Sequence, residues 1–373
     1  MRHLKQRTAV FTGGGTGGHV YPGLAVAERL QTVPPESLLW IGSRRGVERT
    51  ICRRAGIAFR GIPSGKLRRY LSWQNLWDVF RVAAGVLAAL RLLRRVRPRV
   101  VFSKGGFVSV PVVVAAALRG VPVISHDSDA DPGLATRINA RFSRWICLPY
   151  EHSARTVPAA LRRRVMITGN PVRQAFLEPA TSDRRQLQAL GVPSQGPVLF
   201  VTGGSLGAQQ INTLLEEQLE LLAQHAFIVH QCGASDPTLP QRLTQRAPGR
   251  YVGRPSYGRE FAPLLRRAQL TVARAGAGTL WELAACGTPA LLVPLSAARS
   301  RGDQLRNAEL FRAAGAAVVL QPDTLTAARF AQTVSALLDD SDRLDTMRIA
   351  MRSFMSTDAA ATLAGLVDDV FAS

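Results

Sequence analysis

A histidine placed directly behind a run of glycines can take a proton beside a bound phosphate. Residues 8 to 23 read Thr-Ala-Val-Phe-Thr-Gly-Gly-Gly-Thr-Gly-Gly-His-Val-Tyr-Pro-Gly: a short β-rich stretch, five glycines, His19 and the start of a helix. Glycines let backbone N–H groups approach an anion, and the positive end of the following helix points at it. An imidazole titrates near neutrality, so His19 is the first candidate for a general base. Asp129 is the second, within His126-Asp127-Ser128-Asp129-Ala130-Asp131. Three readings of that run stay open. Alternate aspartates begin a calcium loop, although Pro132 stands where the turn glycine belongs and Ile138 where the bidentate glutamate belongs. An Asp-x-Asp pair for a divalent ion beside a nucleotide-sugar is another. A polar loop capping a helix that begins near Pro132-Gly133 is the third.

The glycine turn has echoes. Val198-Leu-Phe-Val-Thr-Gly-Gly-Ser-Leu-Gly-Ala208 rebuilds strand, turn and helix start in the second half. Val100-Val101-Phe102 leads to Ser103-Lys104-Gly105-Gly106, and Leu270-Thr271-Val272 leads to Arg274-Ala275-Gly276-Ala277-Gly278. Each of these last two continues through a helix to Gly-Val-Pro or Gly-Thr-Pro and another apolar strand. Glycines that merely let helix and strand pack closely would explain one such turn. Four in matching positions point to ligand-binding turns at the carboxyl edges of two sheets.

The elements that must position these turns alternate. Strands are expected at 8–12, 38–42, 99–103, 121–125 and 144–148, then near 198–202, 226–230, 250–253, 270–273, 290–293 and 317–320, with helices such as Tyr21 to Gln31 between. Alternation of this kind builds parallel doubly wound sheets. A boundary at Gly169-Asn170-Pro171 gives two domains, 1–171 and 172–354, with a helix at about 355–373 returning to the first. The expected class is therefore α/β: two Rossmann-like doubly wound domains facing a central cleft.

Gly13-x-Gly15-x-x-Gly18 spells a dinucleotide fingerprint, but Gly42-Ser43-Arg44-Arg45 follows the second strand where an acidic residue would hold a ribose. Arginines there leave an NADP enzyme open; no Walker lysine follows either turn. The 373 residues carry a net charge of +21, almost all of it arginine, since only Lys5, Lys66 and Lys104 are lysines. That excess reflects genomic bias or attraction to a polyanion: phosphosugars, an anionic membrane face or nucleic acid. Nucleic acid is the rival reading, yet no helix-turn-helix or zinc-finger spacing is present and aromatics are 6%. No apolar run is long enough to span a membrane, and Met1-Arg2-His3-Leu4-Lys5 does not open a signal peptide. Cys52, Cys147, Cys232 and Cys286 lie far apart, which fits a reduced chain without a structural metal. Residues 66 to 99 set Trp73, Trp77, Phe80 and Leu87 at helical spacing among arginines. They form a helix pair docked on the core or an apolar patch with basic borders on an anionic bilayer.

Together the motifs resemble the MurG-type glycosyltransferases of bacterial cell-wall synthesis. Residues 13–27 look like that family's first loop and Ser103–Ser109 like its second. Gly169–Arg173, Gly203–Ala208, Arg274–Glu282 and Asp303–Ala308 resemble later motifs, in family order. The resemblance implies the GT-B fold, no cofactor and no metal. It implies inverting transfer of N-acetylglucosamine from UDP-N-acetylglucosamine to the undecaprenyl-pyrophosphate-linked muramyl-pentapeptide, lipid I, at the cytoplasmic face of the membrane. A related transferase with another lipid-linked acceptor is the alternative. Carried over by motif, Thr16, Gly17, Gly18, Asp129, Arg173, Ser205, Gly278, Thr279, Leu280, Glu282 and Gln304 serve the donor. Of these, Arg173 and Ser205 take the diphosphate, Glu282 the ribose and Gln304 the sugar hydroxyls. Gly105, Gly106 and His126 lie on the acceptor side. His126-Asp127-Ser128-Asp129 departs from the family's His-Glu-Gln-Asn, and Gly253–Arg259 looks like an insertion.

Overall fold

The computed structural model describes residues 8–65, 73–204, 207–297, 300, 302–355 and 358–373, with backbone alone for 73–79. The chain divides after Arg173 into two compact units, and the C-terminal helix Ala359–Ala372 belongs to the first.

The first unit holds seven strands, β1 (Thr8–Thr12), β2 (Leu38–Ser43), β3 (Ala58–Ile62), β4 (Pro98–Ser103), β5 (Val123–His126), β6 (Trp145–Leu148) and β7 (Val165–Ile167). They pair in parallel in the order β3-β2-β1-β4-β5-β6-β7. The second unit has β8 (Val198–Thr202), β9 (Phe227–Gln231), β10 (Tyr251–Arg254), β11 (Leu270–Ala273), β12 (Ala290–Leu292) and β13 (Ala317–Val319), also parallel, in the order β10-β9-β8-β11-β12-β13. Both sheets thus follow one plan, in which the first strand of the unit lies beside the fourth. That neighbour pair is the topological switch point, where successive crossovers leave in opposite directions and open a crevice at the strand ends. The expected α/β class and paired Rossmann-like units are what the structure contains.

Central strands β1 and β8 are buried at every residue, because helices cover both faces of each sheet. In the first unit α1 (Gly17–Ala27) packs Val20 and Leu24 with Leu363, Ala364 and Val367 of the C-terminal helix. Asp368 completes that junction by accepting from the N–H groups of Gln31 at 2.9 Å and Thr32 at 3.0 Å and from the Thr32 hydroxyl at 2.7 Å. On the other face α3 (Trp73–Val96) and α4 (Ser109–Leu118) bury Ala89, Leu93, Val112 and Val113 against Val10 and Val101.

Several expectations are corrected. Helix α1 opens at Gly17, not Tyr21, because Thr16 in extended conformation already ends the loop. Residues 73–96 form one helix instead of a pair, while 66–72 lie outside the described residues. The helix start expected within Val198–Ala208 falls just beyond it, at Gln209. Gly253 and Arg254 of the supposed insertion complete β10. Strands β3 and β7 were not foreseen: both are edges, only partly buried.

Candidate active site

In the first unit the turns after β1 and β4 interlock. Lys104 donates its backbone N–H to Thr12 O at 2.8 Å, and a Cβ on Gly106 would stand 2.5 Å from Gly14 O. Gly105 and Gly106 also have φ of 82° and 78°, a region that L side chains avoid. Beneath the first turn lies Glu48, wholly buried at the start of α2 (Glu48–Arg54). Its Oε1 accepts from Ser43 N at 2.7 Å and Ser43 Oγ at 2.6 Å, and Oε2 from Gly15 N at 3.4 Å. A Cβ on Gly14 would fall 2.6 Å from that carboxylate, so the glycines wrap an internal anion. This corrects the reading of 13–15 as a phosphate cradle. The first-turn N–H groups of α1, at Gly17 and Gly18, are the ones an external anion can use, since a helix leaves them without intrahelical acceptors.

Around that helix start the structure collects His19, Tyr21 and Arg173. His19 is half-buried with Nδ1 3.0 Å from Thr16 Oγ1. The Arg173 guanidinium lies over the Tyr21 ring, 4.8 Å from its centroid, and a Cβ on Gly17 would touch the same ring at 3.2 Å. This cation–π contact holds the guanidinium beside the positive helix end, where both favour an anion.

His126 is not available to a substrate, which corrects its placement among contact residues. It is wholly buried, with Nε2–H donating to Gly169 O at 2.8 Å. Burial first, and then the Lys104 ammonium, hold its imidazole well below the ordinary range, so it stays neutral. Of the three readings of the aspartate run, capping describes Asp127. Its Oδ1 accepts from Ser128 N at 2.7 Å and Asp129 N at 3.1 Å, its Oδ2 from Gly133 N at 3.0 Å, just ahead of α5 (Leu134–Ala140). Among the described residues no three His, Cys, Asp or Glu groups are gathered as a metal would need. Asp129 is half-buried at the loop's surface.

In the second unit the corresponding turns come together on Gln231 and Arg274. Gln231 Nε2 donates to Gly204 O at 3.0 Å and Thr202 Oγ1 at 3.2 Å, while its Oε1 accepts from Tyr257 N at 3.0 Å. Arg274 donates to Val293 O at 2.9 Å, Pro294 O at 3.1 Å and Gln210 Oε1 at 3.2 Å, joining the loops after β11 and β12 to the helix Gln209–Glu217. The helix Ala277–Cys286 starts at Gly276 with no acidic residue in its first turn, and a Cβ on Gly276 or Gly278 would meet nothing within 4 Å. That helix start is open to an approaching anion. Thr279 and Glu282 are half-buried beside it. Leu280 is corrected: its side chain is core, and its N–H is spent on Gly276 O at 3.1 Å. Gln304 Oε1 accepts from Leu295 N–H at 3.0 Å, and its amide NH2 is the group that can donate outward. Ser205 lies outside the described residues, as do the side chains of Trp73 and Trp77. Phe80 and Leu87 on α3 are 62% and 53% exposed.

Sequence reading passed over Glu48, Gln231 and the charge of Lys104. Only Lys104 carried a signal, as one of three lysines in an arginine-rich chain.

Comparison with known proteins places the chain in a family. Residues 9–147 match the glycosyltransferase family 28 N-terminal domain and residues 198–363 the glycosyltransferase family 28 C-terminal domain. The chain is 41% identical, over 98% of both lengths, to the UDP-N-acetylglucosamine--N-acetylmuramyl-(pentapeptide) pyrophosphoryl-undecaprenol N-acetylglucosamine transferase of Treponema denticola. It is 44% identical to the transferase of the same name from Treponema pallidum, over 85% of this chain and 84% of that one. The crystal structure of Acinetobacter baumannii MurG superposes with a TM-score of 0.74 at 26% identity, covering 98% of this chain and 100% of that chain.

Proposed function

The chain belongs to the MurG-type transferases of glycosyltransferase family 28, and from that premise we propose its reaction: inverting transfer of N-acetylglucosamine from UDP-N-acetylglucosamine to lipid I, giving lipid II for peptidoglycan. The observation that carries this reading is the likeness to the Treponema denticola transferase along 98% of both chains, which takes in every turn described above.

The chemistry asks for a base at the acceptor hydroxyl and for positive potential at the departing UDP. His19 takes the proton as the hydroxyl attacks the anomeric carbon, and the bond to the UDP oxygen breaks. Asp129 is the alternative base. Arg173 and Ser205 meet the diphosphate, and the helix start at Gly276 offers its first-turn N–H groups to the same donor. Thr16, Gly17, Gly18, Gly278 and Thr279 line the donor side, Glu282 holds the ribose, and the amide NH2 of Gln304 donates to a sugar hydroxyl. Gly105 and Gly106 shape the acceptor side without side chains of their own.

Approach to a lipid-linked acceptor falls to α3. Phe80, Ala84 and Leu87 share one exposed stripe, which continues along the same helix into Arg91, Arg94 and Arg95. An apolar end with a basic border suits the anionic, cytoplasmic face of the membrane. Among the described residues no helix is long and apolar enough to cross it.

Purified protein given radiolabelled UDP-N-acetylglucosamine and a short-chain lipid I analogue should release UDP and label the acceptor. Absence of labelled product, with tight salt-sensitive binding to random RNA, would instead favour the nucleic-acid rival. Flotation with anionic liposomes should retain the wild type and lose a Phe80→Ser, Leu87→Ser double variant.

A further inference from the structure

Three aromatic rings from separate segments of the second unit meet at Phe354. It follows the helix Ser341–Arg352, and its ring lies flat on Phe311, with centroids 4.0 Å apart and planes 8° apart. Its second contact is edge-on to Trp281, at 6.4 Å and 82°. Trp281 belongs to the helix Ala277–Cys286 and Phe311 to the helix Asp303–Ala313. Trp281 and Phe311 are buried, and Phe354 is half-buried. Aromatic pairs have preferred geometries, so the two contacts fix orientation as well as distance.

The two helices that Phe354 joins carry donor residues. Glu282 follows Trp281 directly. Gln304, Asn307 and Phe311 stand three and four residues apart, so they share one face of their helix. Asn307 is buried, and its Nδ2 donates to Ala275 O at 3.4 Å, just ahead of the open helix start at Gly276. That bond brings Gln304, one turn back, towards the same helix start. Leu295 N–H, after β12, holds Gln304 from its other side chain atom, Oε1. At the far end of this face Phe311 meets Phe354. Arg352 fastens the same segment to the Ala277–Cys286 helix a second time. It lies over Gly287, where φ is 63° and a Cβ would stand 2.9 Å from Arg352 Cγ.

We propose that Phe354 is a positioning residue for the sugar donor: stacked on Phe311 and abutting Trp281, it sets the helix that carries Gln304 against the helix that carries Glu282. The inference rests on the donor roles given to those two residues under the proposed function, and assigns sugar discrimination to a residue outside them. Glu282 answers the ribose, which UDP and UDP-N-acetylglucosamine share. Gln304 answers the sugar, which UDP lacks. A shift of the 303–313 helix therefore weakens the sugar nucleotide more than UDP, because a hydrogen bond to a hydroxyl is lost with a small misplacement.

Calorimetric titration with UDP-N-acetylglucosamine and with UDP reads the two contacts apart. Phe354→Ala should raise the Kd of UDP-N-acetylglucosamine about tenfold and that of UDP at most about twofold. Phe354→Tyr keeps the ring and should leave both constants within about twofold of the wild type. In a Gln304→Ala background, Phe354→Ala should add less than about threefold for the sugar nucleotide, because the contact it misplaces is already gone. Equal losses for the two ligands overturn the proposal, since a ring that only stabilises the unit weakens both alike. So do an unchanged Kd in Phe354→Ala, a tyrosine variant as weak as the alanine one, or a full tenfold loss added to Gln304→Ala. If Phe354→Ala does not fold, Phe354→Leu fills most of the space without the flat stack. It should weaken the sugar nucleotide at least about threefold more than UDP, and an unchanged ratio of the two constants overturns the proposal. A wild type that binds neither ligand sinks the functional reading and this inference with it. A wild type that binds both, while Phe354→Ala loses both equally, sinks this inference alone.

Discussion

Gly106 closes directly on the carbonyl oxygen of Gly14, 2.5 Å from where a Cβ would stand, and thereby fixes the turn after β4 against the turn after β1. Neither backbone can yield, since Gly106 also needs its φ of 78°. Gly106→Ala should therefore displace the turn that leads to Thr16 and His19. Strain and clash together predict a loss of about 2–4 kcal/mol in unfolding free energy and about a hundredfold in kcat/KM. Urea unfolding and steady-state kinetics check both figures. Normal activity in a destabilised protein would mean that the two turns need not touch.

Glu48 is the internal anion that the first glycine turn wraps. Glu48→Ala leaves the Ser43 donors and the Gly15 N–H without it, and should cost about 3 kcal/mol of stability with most of the activity. Glu48→Gln keeps an acceptor for Ser43 and should cost about half as much. If the turn cradled phosphate instead, removing this negative charge would tighten donor binding; the expected change in donor KM is an increase.

The contrast between these two residues shows what the sequence could disclose. Gly106 sits in a glycine pair behind an apolar strand, and the sequence marks such a turn without structural help. Glu48 becomes a loop scaffold only because β2 and α2 bring it under Gly14, a relationship between residues 34 apart in the chain. Strands β1 and β8 were legible because both faces are covered and every residue is apolar or small. Edge strand β3 was not: Ala58, Arg60 and Gly61 are exposed, so no alternation survives. His126 misled for a related reason. A histidine beside aspartates looks like an acceptor-side contact in one dimension, but burial and Gly169 make it a neutral strut.

Buried neutral histidines give the protein an acid-sensitive side. His230 is satisfied without a charge: Tyr251 O–H donates to Nδ1 at 2.9 Å, and Nε2–H donates to Asn212 Oδ1 at 3.1 Å. Burial lowers it to about 3, and His126 is shifted in the same direction. Below the ordinary 6.5 the unfolded chain binds a proton that the folded chain refuses, so stability falls as pH drops from there towards 3. From His230 alone the expected loss between pH 6.5 and 5 is about 2 kcal/mol. Urea midpoints at pH 7.5 and 5 should show it, and His230→Gln should shrink the difference by about that amount.

Asp368 clamps the far end of α1 through its two carboxylate oxygens. Asp368→Ala abandons two backbone donors and a hydroxyl at a half-buried junction, for an expected cost of about 2–4 kcal/mol. Asp368→Asn retains an acceptor and should lose less. Because Gly17 to His19 lie at the opposite end of the helix, kcat at 20 °C should change by less than about threefold. A large fall in kcat without a fall in Tm would assign this helix a part in the reaction itself.

His19 can be a base in only one of its two tautomers, and Thr16 decides which. If the Thr16 hydroxyl donated to Nδ1, the ring proton would sit on Nε2 and no lone pair would face a substrate. If Nδ1–H donates to Thr16 Oγ1, across the observed 3.0 Å, the ring's lone pair is on Nε2, the nitrogen that can take the acceptor's proton. The imidazolium that results still has Thr16 as acceptor, so the bond survives the transfer. Thr16→Val keeps the shape and removes that acceptor, and should lower kcat about 10- to 100-fold with little change in KM. His19→Ala should lower kcat about a thousandfold and abolish the acid limb of the kcat–pH profile. Near-wild-type turnover in His19→Ala at saturating substrates would move the base to Asp129. In that case Asp129→Asn, not Thr16→Val, would be the variant that stops transfer while substrates still bind.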